Sequence, residues 1–347
     1  MRIKFLNRVL PSFAKGLAVL VIVLGIVFSC LALASTGFGA EGGVWSAPVN
    51  ISNNSGMSGK WGPAIAIDGE GNLHVVWEDN TPSNYGIMYA TKPIGGGWST
   101  PINISNNPGW SYAPDIAIDS NEGIHVVWGG GGILYATKPV GGSWTVPVNT
   151  SNSGVWPSIA IDKEDTIHVV WQDYILKIGE DILYGNKTIG GLWSTPIDIS
   201  NQPDTWEERP QIEVDTGDGL HVVWNGFYAT RPYGGSWSTP VSIEPDRMWG
   251  VGTAIDNEDT LHVVWHNDYG DLLYAAKSMG DVWSTPENIS NTWDYSENPA
   301  IAIKSNDSLH LVWADRRFPG SPEILYIAEP NGWSTPANIS NNAETSF

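Results

Sequence analysis

The chain has 347 residues, a formal charge of −20 and a single cysteine, Cys30. So acidic a body repels phosphate backbones, which argues against nucleic acid as a partner. Cys30 lies in the N-terminal apolar run, so the rest of the chain has no disulfide, no thiol nucleophile and no cysteine metal site, and must be held together by packing.

The chain opens with a leader. Residues 1–16 are basic and 17–34 are uncharged and apolar. This reads as an export signal, with Ala32-Leu33-Ala34 as a small-x-small cleavage site. Retention as a membrane anchor with its N-terminus inside is one alternative, and lipidation at Cys30 is another. Each places the remainder outside the cytoplasm: extracellular, periplasmic or at the cell surface. The membrane is then met only through residues 1–40. Cleavage removes Arg2, Lys4, Arg8 and Lys15 and leaves a charge of −24.

From Trp45 onward the chain repeats every 44 to 53 residues. All 19 tryptophans fall into three slots. Trp45, Trp98, Trp144, Trp193, Trp237, Trp283 and Trp333 open a W-[ST]-x-P phrase, and Trp77, Trp128, Trp171, Trp224, Trp265 and Trp313 close an H-[VL]-V-W phrase. Trp61, Trp110, Trp156, Trp206, Trp249 and Trp293 stand in the variable stretches between.

One unit predicts four strands. Pro63–Asp68 is a short apolar strand, and Gly69–Asn72 is a turn rich in residues that tolerate positive φ. Leu73–Trp77 is a β-branched and aromatic strand. Ile87–Thr91 is the third, and Trp98–Ser105 the fourth. No segment keeps a 3.6 period over ten or more residues, which excludes a helical solenoid. A four-stranded sheet with apolar residues on both faces needs neighbours on both sides, and closing the stack into a ring removes its ends. The predicted fold is therefore all-β, a six-bladed β-propeller over 45–340, with blades at 63–105, 114–151, 157–200, 210–243, 251–290 and 299–340. There are seven fourth-strand phrases for six blades. Residues 333–340 follow their own third strand through a short turn, so they are favoured as the outer strand of blade six. Residues 45–52 are then a spare or ring-closing strand, and the chain reads equally as part of a longer repeat array.

Loops joining strands one to two and three to four lie at one end of each blade and hardly vary between copies. Loops joining strands two to three and four to the next blade lie at the other end and vary in length and composition. Repetition marks scaffold, so function is expected on the variable face. The third tryptophan set, with Tyr112 and Tyr295, offers an aromatic rim there against which sugars can stack. The alternative is that these rings fold down between blades. His74, His125, His168, His221, His262 and His310 share one slot in the second strand and are expected to be buried and bonded to backbone. His266 alone breaks that pattern, in a variable loop. The acidic turns at Asp68, Asp119, Asp162, Asp215 and Asp256 resemble calcium loops but lack the full ligand set, so they read as hairpin turns with no cofactor, calcium being the alternative. The sequons at Asn50, Asn103, Asn149, Asn288 and Asn338 recur because the strand recurs.

Blade phrases of the form P-x-I-A-I-D, G-N-L-H-V-V-W, I-L-Y-A-T-K and G-G-x-W-S-T-P resemble the repeats of sialidase-superfamily propellers, over residues 45–340. That resemblance implies a secreted repeat propeller. In the catalytic members an arginine triad, a Tyr/Glu pair, an Asp acid/base and Asp boxes do the work. No Asp box occurs here. Arg209, Arg247, Arg316 and Arg317 lie on the variable face and Arg231 on the other. Glycoside hydrolysis needs two carboxyls flanking one bond, and no such pair stands out. Six-bladed lectins, which bind sugar with Trp, Arg and Glu, are a second likeness. The expected function is a non-catalytic propeller binding a glycan or a surface protein. Its candidate ligand residues are Trp61, Trp110, Tyr112, Trp156, Trp206, Arg209, Arg247, Trp249, His266, Trp293, Tyr295, Arg316 and Arg317. A sialidase-type hydrolase and a purely structural module are the alternatives.

Overall fold

The computed structural model describes residues 2–5, 45–46, 48–52, 62–81, 84–106, 109–173, 181–201, 208–244, 247–290, 296–316, 323–329 and 332–340. Residues 6–44 lie outside the described residues. A strand β1 (Arg2–Phe5) precedes blade one, which consists of β2 (Ala64–Ile67), β3 (Leu73–Thr81), β4 (Asn84–Lys92) and β5 (Ile102–Asn103). Blade two holds β6 (Tyr112–Ile118), β7 (Ile124–Gly129), β8 (Ile133–Lys138) and β9 (Val148–Ser151). Blade three holds β10 (Val155–Ile161), β11 (Thr166–Asp173), β12 (Asp181–Thr188) and β13 (Ile197–Asp198). Blade four holds β14 (Gln211–Val214), β15 (Leu220–Trp224), β16 (Phe227–Arg231) and β17 (Val241–Ser242). Blade five holds β18 (Trp249–Ile255), β19 (Leu261–His266), β20 (Leu272–Lys277) and β21 (Glu287–Asn288). Blade six holds β22 (Ser296–Ile303), β23 (Leu309–Asp315), β24 (Glu323–Glu329) and β25 (Ala337–Asn338).

Six blades of four antiparallel strands, with no helix among the described residues, define a β-propeller fold. The outer strand of blade six is the local one, pairing Tyr326 with Ala337. β1 adds to blade one in parallel along the free edge of β2, where unpaired backbone groups accept a further strand. The chain divides into two compact units. Blades one to four lie in Asn50–Ile243, and blades five and six lie in Glu244–Phe347, together with the Trp45 phrase.

Within each unit the first strands of successive blades pack side by side. The core lies between blades. Ala64, Val76 and Ile87 of blade one meet Ile116, Val126 and Trp128 of blade two. Blades two and three, three and four, and five and six repeat the contact. The second-strand tryptophans are buried to within 2% exposure, which accounts for their invariance from copy to copy.

Two sequence expectations are corrected. The fourth strand is only two residues long in five blades and four in blade two, not eight. Pro101 has no N–H to give a ladder, and Ser99 takes over. Its N–H donates to the Thr91 carbonyl and its hydroxyl accepts from the Thr91 N–H, at 2.8 and 3.0 Å. The W-[ST]-x-P phrase is thus a side-chain clasp rather than a strand. At its far end Asn103 Oδ1 accepts from the N–H and hydroxyl of Ser105, and Asp198 does the same for Ser200. An aspartate that substitutes for the sequon asparagine marks the Asn-x-Ser phrase as a strand-end turn.

The repeated histidines bond side chains, not backbone. The residue types explain why: an aspartate six positions earlier and a tyrosine on the third strand both reach the ring. His74 Nδ1 lies 2.7 Å from the Tyr89 hydroxyl and its Nε2 lies 3.1 Å from Asp68 Oδ2. The same pair of bonds recurs at His125, His168, His221 and His262. Blade six has Lys304 in place of the aspartate, and there Ser308 takes the second nitrogen of His310 at 3.0 Å. Burial disfavours the Asp68 carboxylate, but hydrogen bonds from His74 and Asn72 outweigh it and hold its pKa below the ordinary 3.8. Burial also holds His74 and His262 below 6.5, against the pull of their aspartates. An ionised carboxylate only accepts, so Nε2 carries the proton of the neutral ring, and Nδ1 accepts from the tyrosine. Burial pushes the Tyr89 and Tyr135 hydroxyls up to about 12, which keeps them as donors.

In four blades the tyrosine then receives the next blade. The ring of Trp144 packs edge-on against Tyr89 at 5.0 Å, Trp193 against Tyr135 at 5.3 Å, Trp237 against Tyr184 at 5.1 Å and Trp333 against Tyr274 at 5.0 Å. Trp45 packs on Tyr326 in the same way, at 5.1 Å. At the turns, Gly69 N donates to Glu122 of the next blade at 2.8 Å, Ser120 N to Asp165 at 2.7 Å and Lys163 N to Asp218 at 3.0 Å.

Tyr135→Phe leaves the buried His125 ring without its donor. The expected loss is about 1–3 kcal/mol of unfolding free energy, read from urea denaturation; an unchanged midpoint would show that the bond carries no stability. Acid acts on the same relays. The unfolded state takes up protons at His74 and His262 from pH 6.5 downward, before the folded state does, so stability starts to fall there. The aspartates have depressed folded values, so their contribution holds above 3.8 and is lost as pH drops through those values. Thermal melts from pH 8 to pH 3 are expected to show a decline beginning between pH 7 and 6 and steepening below 4. A midpoint that stays flat down to pH 5 contradicts the histidine contribution.

Candidate functional site

The variable end of each blade is shaped by one backbone irregularity. At the start of the first strand or just before it, one residue per blade adopts a left-handed conformation: Gly62 at φ 90°, Ala113 at 48°, Trp156 at 52°, Arg209 at 51°, Gly250 at 59° and Asn298 at 49°. Proline follows in five of the six, with Val251 the exception. In blades two, three, five and six the pairing to the second strand shifts register at this point, forming a bulge. Glycine and asparagine tolerate such φ values, whereas a bulky side chain there costs on the order of 1–3 kcal/mol. The scaffold asks only for the left-handed residue, which blades one and five satisfy with glycine. Trp156 and Arg209 hold the same position in consecutive blades at an energetic cost that the fold does not require.

Those two side chains meet. The Arg209 guanidinium lies 4.2 Å over the Trp156 ring, a cation–π contact bridging blades three and four. Both are half-buried at the variable end of the first unit. Beneath them runs a buried polar row. Asp115 Oδ2 accepts from Ile159 N at 2.9 Å and from the Ser158 hydroxyl at 3.2 Å, and Ser158 Oγ accepts from Ile212 N at 3.3 Å. This row joins the first strands of blades two, three and four. In the same unit Trp110 is 70% exposed, the most open of the described tryptophans in the variable set. Tyr112 is turned inward: a Cβ on Gly129 would meet its ring at 2.6 Å, so the ring covers that glycine.

The second unit carries a different cluster. Trp249 opens β18 opposite His266, the last residue of β19. The Trp249 Nε1 donates to Asp268 Oδ1 at 2.7 Å, and the Arg247 guanidinium lies 4.5 Å over the same indole. On blade six Arg316 pairs with Glu297 at 2.9 Å. Arg247 and Arg316 therefore engage separate partners. Trp156 and Trp249 lie within the first strands rather than in the loops before them. Trp61, Trp206, Trp293, Tyr295 and Arg317 fall outside the described residues. Arg231 sits at the other end of its blade, donating to the Tyr184 hydroxyl at 2.9 Å. Sequence reasoning missed Asp268, Glu297 and Asn298. The residue preceding proline before each first strand was the signal available for Asn298.

No protein-family profile matches this chain, and no curated protein does. Among solved structures it is similar to the BP39L lectin from Burkholderia pseudomallei, with a TM-score of 0.67 at 16% identity over 80% of this chain and 84% of that one. It is also similar to a polysaccharide lyase, the PL25 ulvan lyase, solved bound to -[GlcA(1-4)Rha3S]-, with a TM-score of 0.58 at 12% identity over 88% and 86%. AofleA from Arthrobotrys oligospora gives a TM-score of 0.55 at 11% identity over 88% and 92%. These likenesses establish the β-propeller fold and not membership of the sialidase superfamily.

Arg209→Gly separates scaffold from site. Glycine relieves roughly 1 kcal/mol of backbone strain and forfeits a cation–π contact of about 0.5–1 kcal/mol. The two cancel, so the thermal midpoint is expected to stay within about 2 °C of the unmodified protein, given how little one kcal/mol shifts a large domain. A fall of many degrees would mean that Arg209 serves the fold.

Proposed function

We propose that this is an exported propeller that binds carbohydrate through the variable ends of its blades and does not cleave it. The supporting observation is the placement of Trp156 and Arg209 in equivalent strained positions, stacked at 4.2 Å. Strain of this kind clusters at binding and active sites. An indole offers an apolar face to sugar C–H groups, and a guanidinium offers up to five in-plane donors to hydroxyls, carboxylates or sulfates. Trp110, open to solvent, adds a second ring in the same unit. Propeller neighbours that include a lectin and a polysaccharide lyase are in keeping with sugar as the ligand. Binding without turnover is the simpler reading because glycoside hydrolysis needs two carboxyls set across one bond, and among the many acids of the sequence no such pair is singled out. Export follows from the basic-then-apolar leader.

A glycan array followed by calorimetry tests this. The unmodified protein is expected to bind at least one oligosaccharide class, and Trp156→Ala and Arg209→Ala are each expected to weaken it tenfold or more with the melting curve preserved. Binding of no glycan, or unchanged affinity in both variants, would leave a protein partner or a purely structural role as the account of this face.

A further inference from the structure

We propose that blades five and six hold a second, independent carbohydrate site built on Trp249, shaped for an uncharged sugar gripped through adjacent hydroxyls. This rests on the carbohydrate reading above but on different residues. At the bulge of blade five the side chain is missing. Gly250 has φ 59°, and a Cβ there would lie 3.2 Å from His266 Cδ2 and 3.2 Å from Asn298 Cα. The imidazole of His266 therefore lies against the position from which Trp156 and Arg209 project in blades three and four. The sequence keeps glycine here because the ring and the neighbouring blade already fill the space.

The indole of Trp249 is fixed from two sides. Asp268 accepts its Nε1 proton at 2.7 Å, and the Arg247 guanidinium lies 4.5 Å over the ring. A carboxylate has about four acceptor sites, of which the indole uses one. Acceptor and donor thus flank a single aromatic ring. Adjacent sugar hydroxyls, each both donor and acceptor, match that pairing. Across the gap, Asn298 stands beside Gly250, and its neighbour Glu297 is paired with Arg316 at 2.9 Å. Two acids and two cations leave the cluster without net charge, so nothing in it favours an anion. An uncharged sugar also avoids the repulsion of a chain carrying −20.

The test is calorimetric titration of the full chain with neutral and carboxylated oligosaccharides at matched ionic strength. The variants are Trp156→Ala, Trp249→Ala and Asp268→Asn. Asp268 is exposed, so the last change keeps the fold, checked by its melting curve. Trp156→Ala is expected to remove one class of binding events and leave a second, which prefers neutral sugar. Asp268→Asn and Trp249→Ala are expected to weaken that second class at least tenfold. If sugar binds but Trp156→Ala abolishes all of it, or the Trp249 and Asp268 variants bind as the unmodified protein does, the second site is wrong while the first stands. A remaining class that prefers the carboxylated ligand overturns the neutral assignment. No sugar binding by the unmodified protein removes both.

Discussion

The tyrosine on the third strand of each blade is the point on which the structure turns. In blades one to five its hydroxyl ends a chain that runs from a turn aspartate through the second-strand histidine, and in blades one, two, three and five its ring receives the next blade's tryptophan edge-on. Tyr135 illustrates the economy: one side chain satisfies His125 at 2.7 Å and seats Trp193 at 5.3 Å. Three strands of one blade and the outer phrase of the next are locked by four side chains. With no cysteine beyond Cys30, this polar-aromatic joint and the aliphatic layers between blades supply the cohesion.

That joint sits toward the end of the blade where the turns are short. The opposite end is left free to vary, and the left-handed residue at the start of each first strand turns that freedom into display. It aims one side chain per blade from a backbone already kinked, so the identity of that residue can change without disturbing the sheet. Glycine, alanine, tryptophan, arginine, glycine and asparagine occupy it in turn. Blades three and four use it for an aromatic–cation pair, whereas blade five vacates it and brings in an imidazole from its second strand. One scaffold thereby presents different chemistry from one blade to the next.

Blade number, strand order and the local outer strand of blade six were legible because repetition inside one chain averages out local noise. The tryptophan in H-V-V-W had to be core, since a ring that large recurs only where every copy buries it. The histidine partners were legible in principle. Asp68 and His74, like Asp119 and His125, keep a constant spacing of six, but that spacing has meaning only once the hairpin turn folds the aspartate back. The fourth strand was overread because W-S-T-P-I-N-I-S alternates like a strand, while its proline and serine replace the ladder by a clasp. The bulges were not legible. A residue before proline is ordinarily extended, so nothing in the sequence signals that Trp156 and Arg209 stand in the left-handed region. Tyr112 looked like a rim residue from its position alone, but the bare Gly129 opposite it draws the ring down.

The central claim is that the blade scaffold is inert toward ligand and that the residues at and beside the bulges read it. Fluorine NMR of the protein labelled throughout with 5-fluorotryptophan, titrated with the best-binding glycan, examines this directly. The resonances of Trp156 and Trp249 are predicted to move, while those of the buried Trp128, Trp171, Trp224, Trp265 and Trp313 stay in place. Movement confined to the buried set, or none at either rim indole under saturating glycan, would contradict it.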